Sequence, residues 1–266
     1  MKIYDCFGFN DENHLLELRL NELNEYIDYF IIVEFGETHQ GNKKNQNIDM
    51  NLIKKFRNKI RYYFVDKFEN INEPHGRDQY QRNYLAKGLF DADKNDLILL
   101  SDIDEIPDLN KIEIKNIDNN IIAFSQVHSM YKLNLCLNER WIGSKICKFK
   151  NLKSLQWLRS LRSKKYSFFR IDKLFSPRYS RNIKIINNGG WHFGWLRSSD
   201  SIINKLESYA HSEHNNEYYK NKKLLEECIK DKKNFFNKSE TLRVAPLDEL
   251  PNYIKNNSEK FKDWLA

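Results

Sequence analysis

A chain of 266 residues with a formal charge of +7 is long enough for one globular domain with a sizeable hydrophobic core. Hydrophobic residues make up 40% of it and aromatic residues 14%, with only nine Gly and five Pro, which excludes disordered and collagen-like proteins. No run approaches the ~20 consecutive apolar residues that a membrane-spanning helix needs, and residues 1–9 lack the apolar run of a signal peptide. We therefore expect a single cytoplasmic domain over residues 1–266.

Residues 1–108 alternate strand-like and helix-like patterns, as a parallel α/β sheet requires. The patterns predict strands over residues 2–7, 27–34, 60–65 and 96–100. They predict one helix that is capped by Asn10 or Asp11 and extends to Leu23, and a second helix over residues 77–90. A polar loop over residues 35–47 follows the second strand. This part of the chain is therefore predicted to consist of βαβ repeats.

After Asp108 the pattern changes. Residues 121–135 and 141–149 are extended and apolar-aromatic, which predicts an antiparallel pair joined near Asn138 and Glu139. A helix is expected near residues 155–161, a strand over 183–186, and a mostly helical tail over 199–266.

Basic residues are concentrated in one segment, residues 145–184. It contains thirteen Lys or Arg and a single acid, Asp172, so its net charge is +12 and the rest of the chain sums to −5. Such a segment indicates an anionic partner, which is nucleic acid, a membrane surface or a phosphate-bearing small molecule. A merely solvated surface is an equally good interpretation of the charge alone.

The strongest local signal is a pair of carboxylates, Asp102 and Asp104, directly after the predicted strand at residues 96–100. Ligands bind at the carboxyl ends of strands in open α/β sheets. In extended geometry the two side chains point to the same side, so both can face one divalent ion. Such an ion, Mg²⁺ or Mn²⁺, would bridge the phosphates of a nucleotide.

Two further clusters carry polar chemistry. His192 lies among aromatic residues after two glycines, at residues 189–195, where it can bind a metal or a phosphate, or be a satisfied core histidine. Arg77, Gln81 and Arg82 lie near one face of a predicted helix, where a guanidinium can hold a diphosphate or pair with local acids.

Several common enzyme classes are disfavoured because their motifs are absent. The sequence has no G-x-G-x-x-G after the first strand, no G-x-x-x-x-G-K-[ST], no G-x-S-x-G and no H-E-x-x-H. The scattered cysteines form no Cys-x-x-Cys pair, so we expect reduced core thiols at Cys6, Cys136, Cys147 and Cys228. After these exclusions, the remaining interpretation is a site that binds a metal and a nucleotide without a P-loop.

An ordered set of short motifs resembles glycosyltransferase family seventeen. The motifs are Tyr4-Asp5-Cys6-Phe7, Leu18-Arg19-Leu20-Asn21-Glu22-Leu23, Val33-Glu34 with Thr38-His39, Gln81-Arg82-Asn83, Ser101-Asp102-Ile103-Asp104-Glu105-Ile106-Pro107, Gly189-Gly190-Trp191-His192-Phe193 and Leu250-Pro251-Asn252-Tyr253-Ile254. The resemblance implies an α/β fold of the GT-A type, Rossmann-like, with a mostly parallel central sheet, a small antiparallel part and a helical C-terminal region. It also implies an inverting mechanism, UDP-GlcNAc as the donor and Mn²⁺ or Mg²⁺ as the cofactor.

The resemblance divides the chain into a nucleotide-binding half (residues 1–108), an acceptor half with the basic segment (109–198) and a helical tail (199–266). It implies that the metal ligands are Asp102, Asp104 and His192. The residues expected to bind the donor are Glu34, Thr38, His39, Arg77, Gln81, Arg82 and Asp102.

Inversion requires a carboxylate that deprotonates the acceptor hydroxyl. Four acids are candidates: Glu105, Glu139, Asp172 and Glu207. We favour Glu207, because it follows His192 and lies four residues before His211 on a predicted helix.

The expected partners are a UDP-sugar and a glycan acceptor, either lipid-linked or anionic, and contact with a membrane surface is one interpretation of the basic segment. One alternative is a transferase for another UDP-hexose, galactose or glucose, on the same fold. The other is a nucleic-acid-binding protein that uses the basic segment, but this leaves Asp102 to Glu105 unexplained and matches no nucleic-acid-binding motif. We therefore expect no nucleic-acid partner.

Overall fold

A single mixed sheet organises the part of the chain that the computed structural model describes, which is residues 1–114, 117, 120–162, 176, 180, 182–196, 199, 202–203 and 221–266. In these residues the strands are β1 (Ile3–Phe9), β2 (Tyr29–Phe35), β3 (Ile60–Val65), β4 (Leu97–Leu100), β5 (Glu105–Pro107), β6 (Ile121–Met130), β7 (Leu135–Lys148), β8 (Ile183–Ile186), β9 (Gly190–Gly194) and β10 (Arg243–Val244). Their order is β3-β2-β1-β4-β7-β6-β9-β5, with β8 beside β6 and β10 beside β7.

Seven α-helices are described: α1 (Asn13–Leu23), α2 (Met50–Lys55), α3 (Pro74–Tyr84), α4 (Leu155–Ser160), α5 (Lys222–Lys230), α6 (Asn252–Asn256) and α7 (Ser258–Phe261). Helix α1 buries the leucines that predicted it. Helix α3 begins with Pro74, and proline suits the first position of a helix because the N–H group of that position makes no hydrogen bond within the helix. A 3₁₀ turn over Leu85–Leu89 continues the helix. Helix α2 was not predicted.

The first half of the sheet is parallel, as the alternating pattern predicts. Strand β1 pairs with β2 on one side and β4 on the other, and β2 pairs with β3. The centres of β1, β2 and β4 are buried, which explains their nearly continuous apolar sequences. The α/β class is confirmed, and β3 has the predicted bounds.

The second half contains the antiparallel pairs. Strand β7 pairs antiparallel with both β4 and β6, so one strand joins the two halves. The predicted turn at Asn138 and Glu139 is wrong. These residues lie within β7, where they are polar because that stretch is exposed, and the connection from β6 is at residues 131–134, beginning with Tyr131 at φ 66°.

Two short strands that the sequence did not predict bring His192 to the carboxylate loop. Strand β5 pairs antiparallel with β9, and Glu105 lies opposite His192. Gly190 has φ 128°, and a methyl group there would collide with the Ile106 carbonyl, so this pairing requires glycine.

The described end of the chain packs on α1. The Glu22 carboxylate accepts hydrogen bonds from the Asn252 and Tyr253 amides at the start of α6. The predicted helical tail is observed in part, since α5 to α7 are helices but β10 is a strand. All four cysteines are buried and unpaired by disulfides, and none of the described helices is both long and apolar enough to cross a bilayer.

Candidate active site

A cleft of about 660 Å³ opens at the carboxyl ends of β1, β2 and β4. Strand β1 lies between β2 and β4. After β1 the chain adds β2 and β3 on one side of it and then crosses to add β4 on the other side. Open α/β sheets bind ligands at such a switch point. The cleft is lined by Phe9, Phe35, Asp102 and Asp104 and, on its far side, by residues of β6, β7 and β9.

Buried Arg19 fixes the loop that carries the carboxylates. Its guanidinium makes two hydrogen bonds to Asp5, at 2.6 and 2.8 Å. It also donates to the Ser101 hydroxyl at 2.6 Å and to the carbonyls of Asp102 and Glu105 at 3.2 and 2.7 Å. Burial raises the pKa of the Asp5 carboxyl, although Arg19 opposes that rise. No motif in the sequence predicted a role for this pair, whose signal is a lone arginine among the buried leucines of α1.

Glu105 connects three parts of the site. Its buried carboxylate accepts hydrogen bonds from the Trp141 indole at 2.6 Å, from two guanidinium nitrogens of Arg159 at 2.7 and 2.9 Å, and from the Asp102 amide at 3.0 Å. A carboxylate engaged in this way is a positioning group, and its lack of exposure disfavours it as the base that meets an acceptor.

Alternate residues of β7 serve this network. Trp141 donates to Glu105, a methyl group on Gly143 would overlap the Glu105 carboxylate, and the Lys145 ammonium donates to the Arg159 carbonyl at 2.9 Å. Burial, and then Arg159, lowers the pKa of Lys145 to about 8. Lys145 and Arg159, both members of the basic segment, therefore point into the fold and do not belong to a solvated surface.

Asp102 is held by two arginines. Its carboxylate lies 2.6 Å from Arg159 and 3.5 Å from Arg82. Desolvation by the cleft walls opposes ionisation, but the two guanidinium groups outweigh it and lower the pKa of Asp102. Asp102 is therefore an anion over the whole physiological pH range.

Asp104 points towards His192. Its carboxylate oxygen Oδ1 lies 3.7 Å from His192 Nε2, and the His192 ring stacks on His128, with centroids 4.3 Å apart. Burial, and then His192, lowers the pKa of His128 to about 3, so this ring is neutral. Among the described residues, no group of three His, Cys, Asp or Glu side chains is arranged to hold a metal.

Most residues predicted to bind the donor line the cleft: Thr38, His39, Gln81, Arg82 and Asp102. The Gln81 amide donates to the Phe9 and Val33 carbonyls at 3.4 and 3.0 Å. Its oxygen is therefore left to accept a hydrogen bond from His39 Nε2 at 2.7 Å. This side chain ties the ends of β1 and β2 to the loop that carries His39.

Glu34 and Arg77 are not among the lining residues. The buried Glu34 carboxylate accepts hydrogen bonds from Lys44, the Asn47 amide and Tyr62, each at 2.7 Å. Arg77 donates to the His39 carbonyl at 2.9 Å. Both therefore shape the loop after β2, and their role in donor binding stays a prediction.

Of the other candidate bases, only Glu139 belongs to the described part of the chain. Glu139 is exposed on β7 and is not a lining residue. Asp172 and Glu207, together with His211, fall outside the described residues, so their roles stay predictions.

Comparison with known proteins identifies the family. The model for Glycosyltransferase family 17 matches residues 1–265. The chain belongs to this family. The motifs in the sequence predicted this family.

Other proteins show weaker similarities to this chain. The rat and human proteins named beta-1,4-mannosyl-glycoprotein 4-beta-N-acetylglucosaminyltransferase are each 27% identical to this chain over 116 residues. The match covers 40% of this chain and 22% of each relative. A solved structure, HddC from Yersinia pseudotuberculosis, is 13% identical and aligns over 71% of this chain and 92% of its own with a TM-score of 0.37.

Proposed function

We propose that this family 17 glycosyltransferase transfers GlcNAc from UDP-GlcNAc to a hydroxyl of a glycan, with inversion and with a divalent ion, on a GT-A fold. The observation that carries the proposal is that Asp102, Asp104 and His192 all line the cleft, with Asp104 facing His192 and Asp102 beside two arginines. The names of the mammalian relatives support GlcNAc as the sugar.

The shape of the cleft suggests where each part of the donor binds. The wall at the ends of β1 and β2 offers an aromatic side chain, Phe35, and hydrogen-bonding groups on Thr38 and His39. These suit a nucleoside. The diphosphate then reaches Asp102, Asp104 and the guanidinium groups of Arg82 and Arg159, where anions are stabilised by cations. The sugar extends towards β6, β7 and β9.

Asp104 and His192 fit a divalent ion. A separation of 3.7 Å between a carboxylate oxygen and an imidazole nitrogen lets both bind one cation. Ions such as Mg²⁺ are held by one or two carboxylates plus substrate phosphates, so a preformed cluster of three side chains is not required. His192 Nδ1 is buried without a hydrogen-bond partner in the described residues, so no hydrogen bond fixes the tautomer of the ring, and Nε2 is the nitrogen that faces Asp104. When bound, the ion would neutralise the charge on the departing diphosphate.

The protein's own residues then perform three tasks. Arg19 and Glu105 hold the Asp102 to Glu105 loop, and Arg82 and Arg159 present cations at the diphosphate. A carboxylate takes the acceptor proton while the hydroxyl oxygen attacks C1 from the face opposite the leaving group. For this step we keep Glu207 as the proposed base. A lipid-linked or anionic glycan remains the proposed acceptor.

The test is a donor screen with Mn²⁺ that measures UDP release from UDP-GlcNAc, UDP-galactose and UDP-glucose. We expect the highest rate with UDP-GlcNAc and loss of turnover with EDTA. Asp102→Asn, Asp104→Asn and His192→Ala should each reduce turnover by roughly 10²–10³-fold, as expected when one charge-stabilising group is lost.

Asp248→Asn is the matched control, because Asp248 is exposed and distant in sequence from the cleft. It should keep wild-type turnover. Full Mn²⁺-dependent turnover in the Asp104→Asn protein would refute the metal assignment, and preference for UDP-galactose or UDP-glucose would replace the proposed donor.

A further inference from the structure

The far wall of the cleft carries a polar atom that the proposed chemistry does not use. His128 lies on β6 and lines the cleft, and its Nε2 is buried without a hydrogen-bond partner in the described part of the chain. A buried polar atom without a partner costs free energy unless a ligand or water satisfies it. Its position in the wall therefore indicates that a ligand binds there.

Gly194 leaves one side of this atom without a side chain. A methyl group built on Gly194 would lie 2.9 Å from His128 Nε2, well inside the contact distance of carbon and nitrogen. Any side chain at this position of β9 would displace the imidazole or cover Nε2 further. With glycine there, a small displacement of the imidazole brings Nε2 within reach of a hydroxyl or an amide oxygen of a ligand in the cleft.

Trp141 supplies an aromatic surface in the same wall. Its side chain is fixed because the indole N–H donates to Glu105 at 2.6 Å, and its ring packs against His192 with centroids 4.7 Å apart. The residue is nevertheless 38% exposed. An indole whose polar atom is satisfied and whose ring remains accessible suits a ligand with both C–H and hydroxyl groups, which describes a pyranose.

We propose that His128, Trp141 and Gly194 form the subsite for the hexose ring of the donor, with His128 Nε2 hydrogen-bonded to a polar substituent of that ring. The inference rests on the proposed function and deepens it. In a nucleotide-sugar the diphosphate joins the nucleoside to the sugar. With the nucleoside near Phe35 and the diphosphate near Asp102, the sugar therefore lies at this wall. His128 is then a residue that selects the donor sugar.

The test compares the affinities of UDP-GlcNAc and UDP, both measured by calorimetry with Mn²⁺. His128→Phe keeps a ring against His192 but removes the nitrogen, and Gly194→Ala covers the nitrogen without removing it. In both variants we expect the dissociation constant of UDP-GlcNAc, divided by that of UDP, to rise roughly five- to tenfold, which is the size expected for one lost hydrogen bond. The dissociation constant of UDP alone should stay within about twofold, because its groups do not reach this wall.

His14→Phe is the matched control. His14 stacks on Trp264 and does not line the cleft, so the same substitution should leave the ratio unchanged. His128→Gln, which can place an amide near the same position, should recover part of the affinity. Melting temperatures of all variants separate a binding effect from unfolding.

The outcomes distinguish this subsite from the proposed function. An unchanged ratio in folded His128→Phe and Gly194→Ala proteins would overturn the subsite, while wild-type binding of UDP-GlcNAc would leave the proposed function intact. An equal loss of affinity for UDP and UDP-GlcNAc in the His128→Phe protein would place His128 at the diphosphate and would also overturn the hexose subsite. A wild-type protein that binds neither ligand would refute the proposed function itself.

Discussion

Arg159 lies 2.6 Å from Asp102, whereas Asp104, two residues later, faces His192. The two carboxylates of the Asp-x-Asp pair therefore have different partners, one a guanidinium and the other an imidazole. We infer different tasks for them, since a carboxylate held by arginine is a poorer cation ligand than one beside a histidine nitrogen.

Removal of Arg159 should change the pH dependence of the reaction. Arg159 and Arg82 lower the pKa of Asp102 against the effect of desolvation, so Arg159→Gln should raise that pKa. Asp102 would then become protonated at a higher pH, and the acid limb of kcat/KM for the donor should move upwards in pH. Rates from pH 4.5 to 7 measure this. Arg57→Gln, at an exposed position, is the control, and coincident acid limbs in wild type and Arg159→Gln would contradict the prediction.

Gly143→Ala should damage the site without touching a ligand directly. The new methyl group would overlap the buried Glu105 carboxylate and force it away from Arg159 and Trp141. We expect a loss of about 3 kcal/mol in the free energy of unfolding, the size found when a buried ion pair is broken, together with weaker donor binding. Urea denaturation measures the first effect. Gly76→Ala in helix α3 is the control, because its methyl group would approach an apolar side chain, that of Ile71, and not a buried carboxylate; equal stabilities of the two variants would show that Glu105 adapts.

The titration of Lys145 should make the free energy of unfolding depend on pH in the alkaline range. Its pKa is about 8 in the folded protein and near 10.5 when unfolded, so between these values the unfolded chain binds more protons. The free energy of unfolding should therefore rise with pH in this window, by at most about 1.4 kcal/mol per pH unit from this group. Urea denaturation at pH 7.5, 8.5 and 9.5 should show a smaller rise for Lys145→Met than for the wild type. Parallel pH profiles of the two proteins would argue against a lowered pKa of Lys145 in the folded protein.

The Asp5–Arg19 pair should show strong coupling. Arg19→Met leaves a buried carboxylate without its cation and should lower the free energy of unfolding by about 3–5 kcal/mol. In the double variant Asp5→Leu/Arg19→Met the unpaired charge is gone, so the combined loss should be smaller than the sum of the two single losses. A double-mutant cycle by urea denaturation measures the difference, and strictly additive losses would contradict a direct interaction.

The sequence predicts those parts of the fold that local patterns determine. The apolar strands β1 to β4 and the leucines of α1 follow from periodicity, and Asp102 follows from its place after a buried strand. The hairpin was misplaced because an exposed, polar part of a strand resembles a turn. Strand β5 has three residues, too few for any period to show.

Local sequence patterns could not predict the arrangement around Glu105, for a different reason. Trp141 and Arg159 reach Glu105 from positions 36 and 54 residues away in the chain. Trp141 is brought there by β7, which pairs antiparallel with β4, and Arg159 by helix α4, and neither long-range placement has a local sequence signal.

The alternation of Trp141, Gly143 and Lys145 along β7 makes the site depend on a single alignment of two strands. Trp141 and the side-chain position of Gly143 face the Glu105 carboxylate, and the Lys145 ammonium reaches the Arg159 carbonyl. Lys145 lies opposite Leu100 of β4, so a shift of one residue against β4 would turn it to the opposite side of the sheet. The match of β7 to β6 is irregular between Cys136 and Arg140 and again between Ile142 and Lys145. An added residue before Trp141 can therefore be absorbed by the first irregularity, whereas the second already sets how Trp141 and Lys145 lie relative to each other, and one more residue there would separate the aromatic surface from the anchor of Arg159.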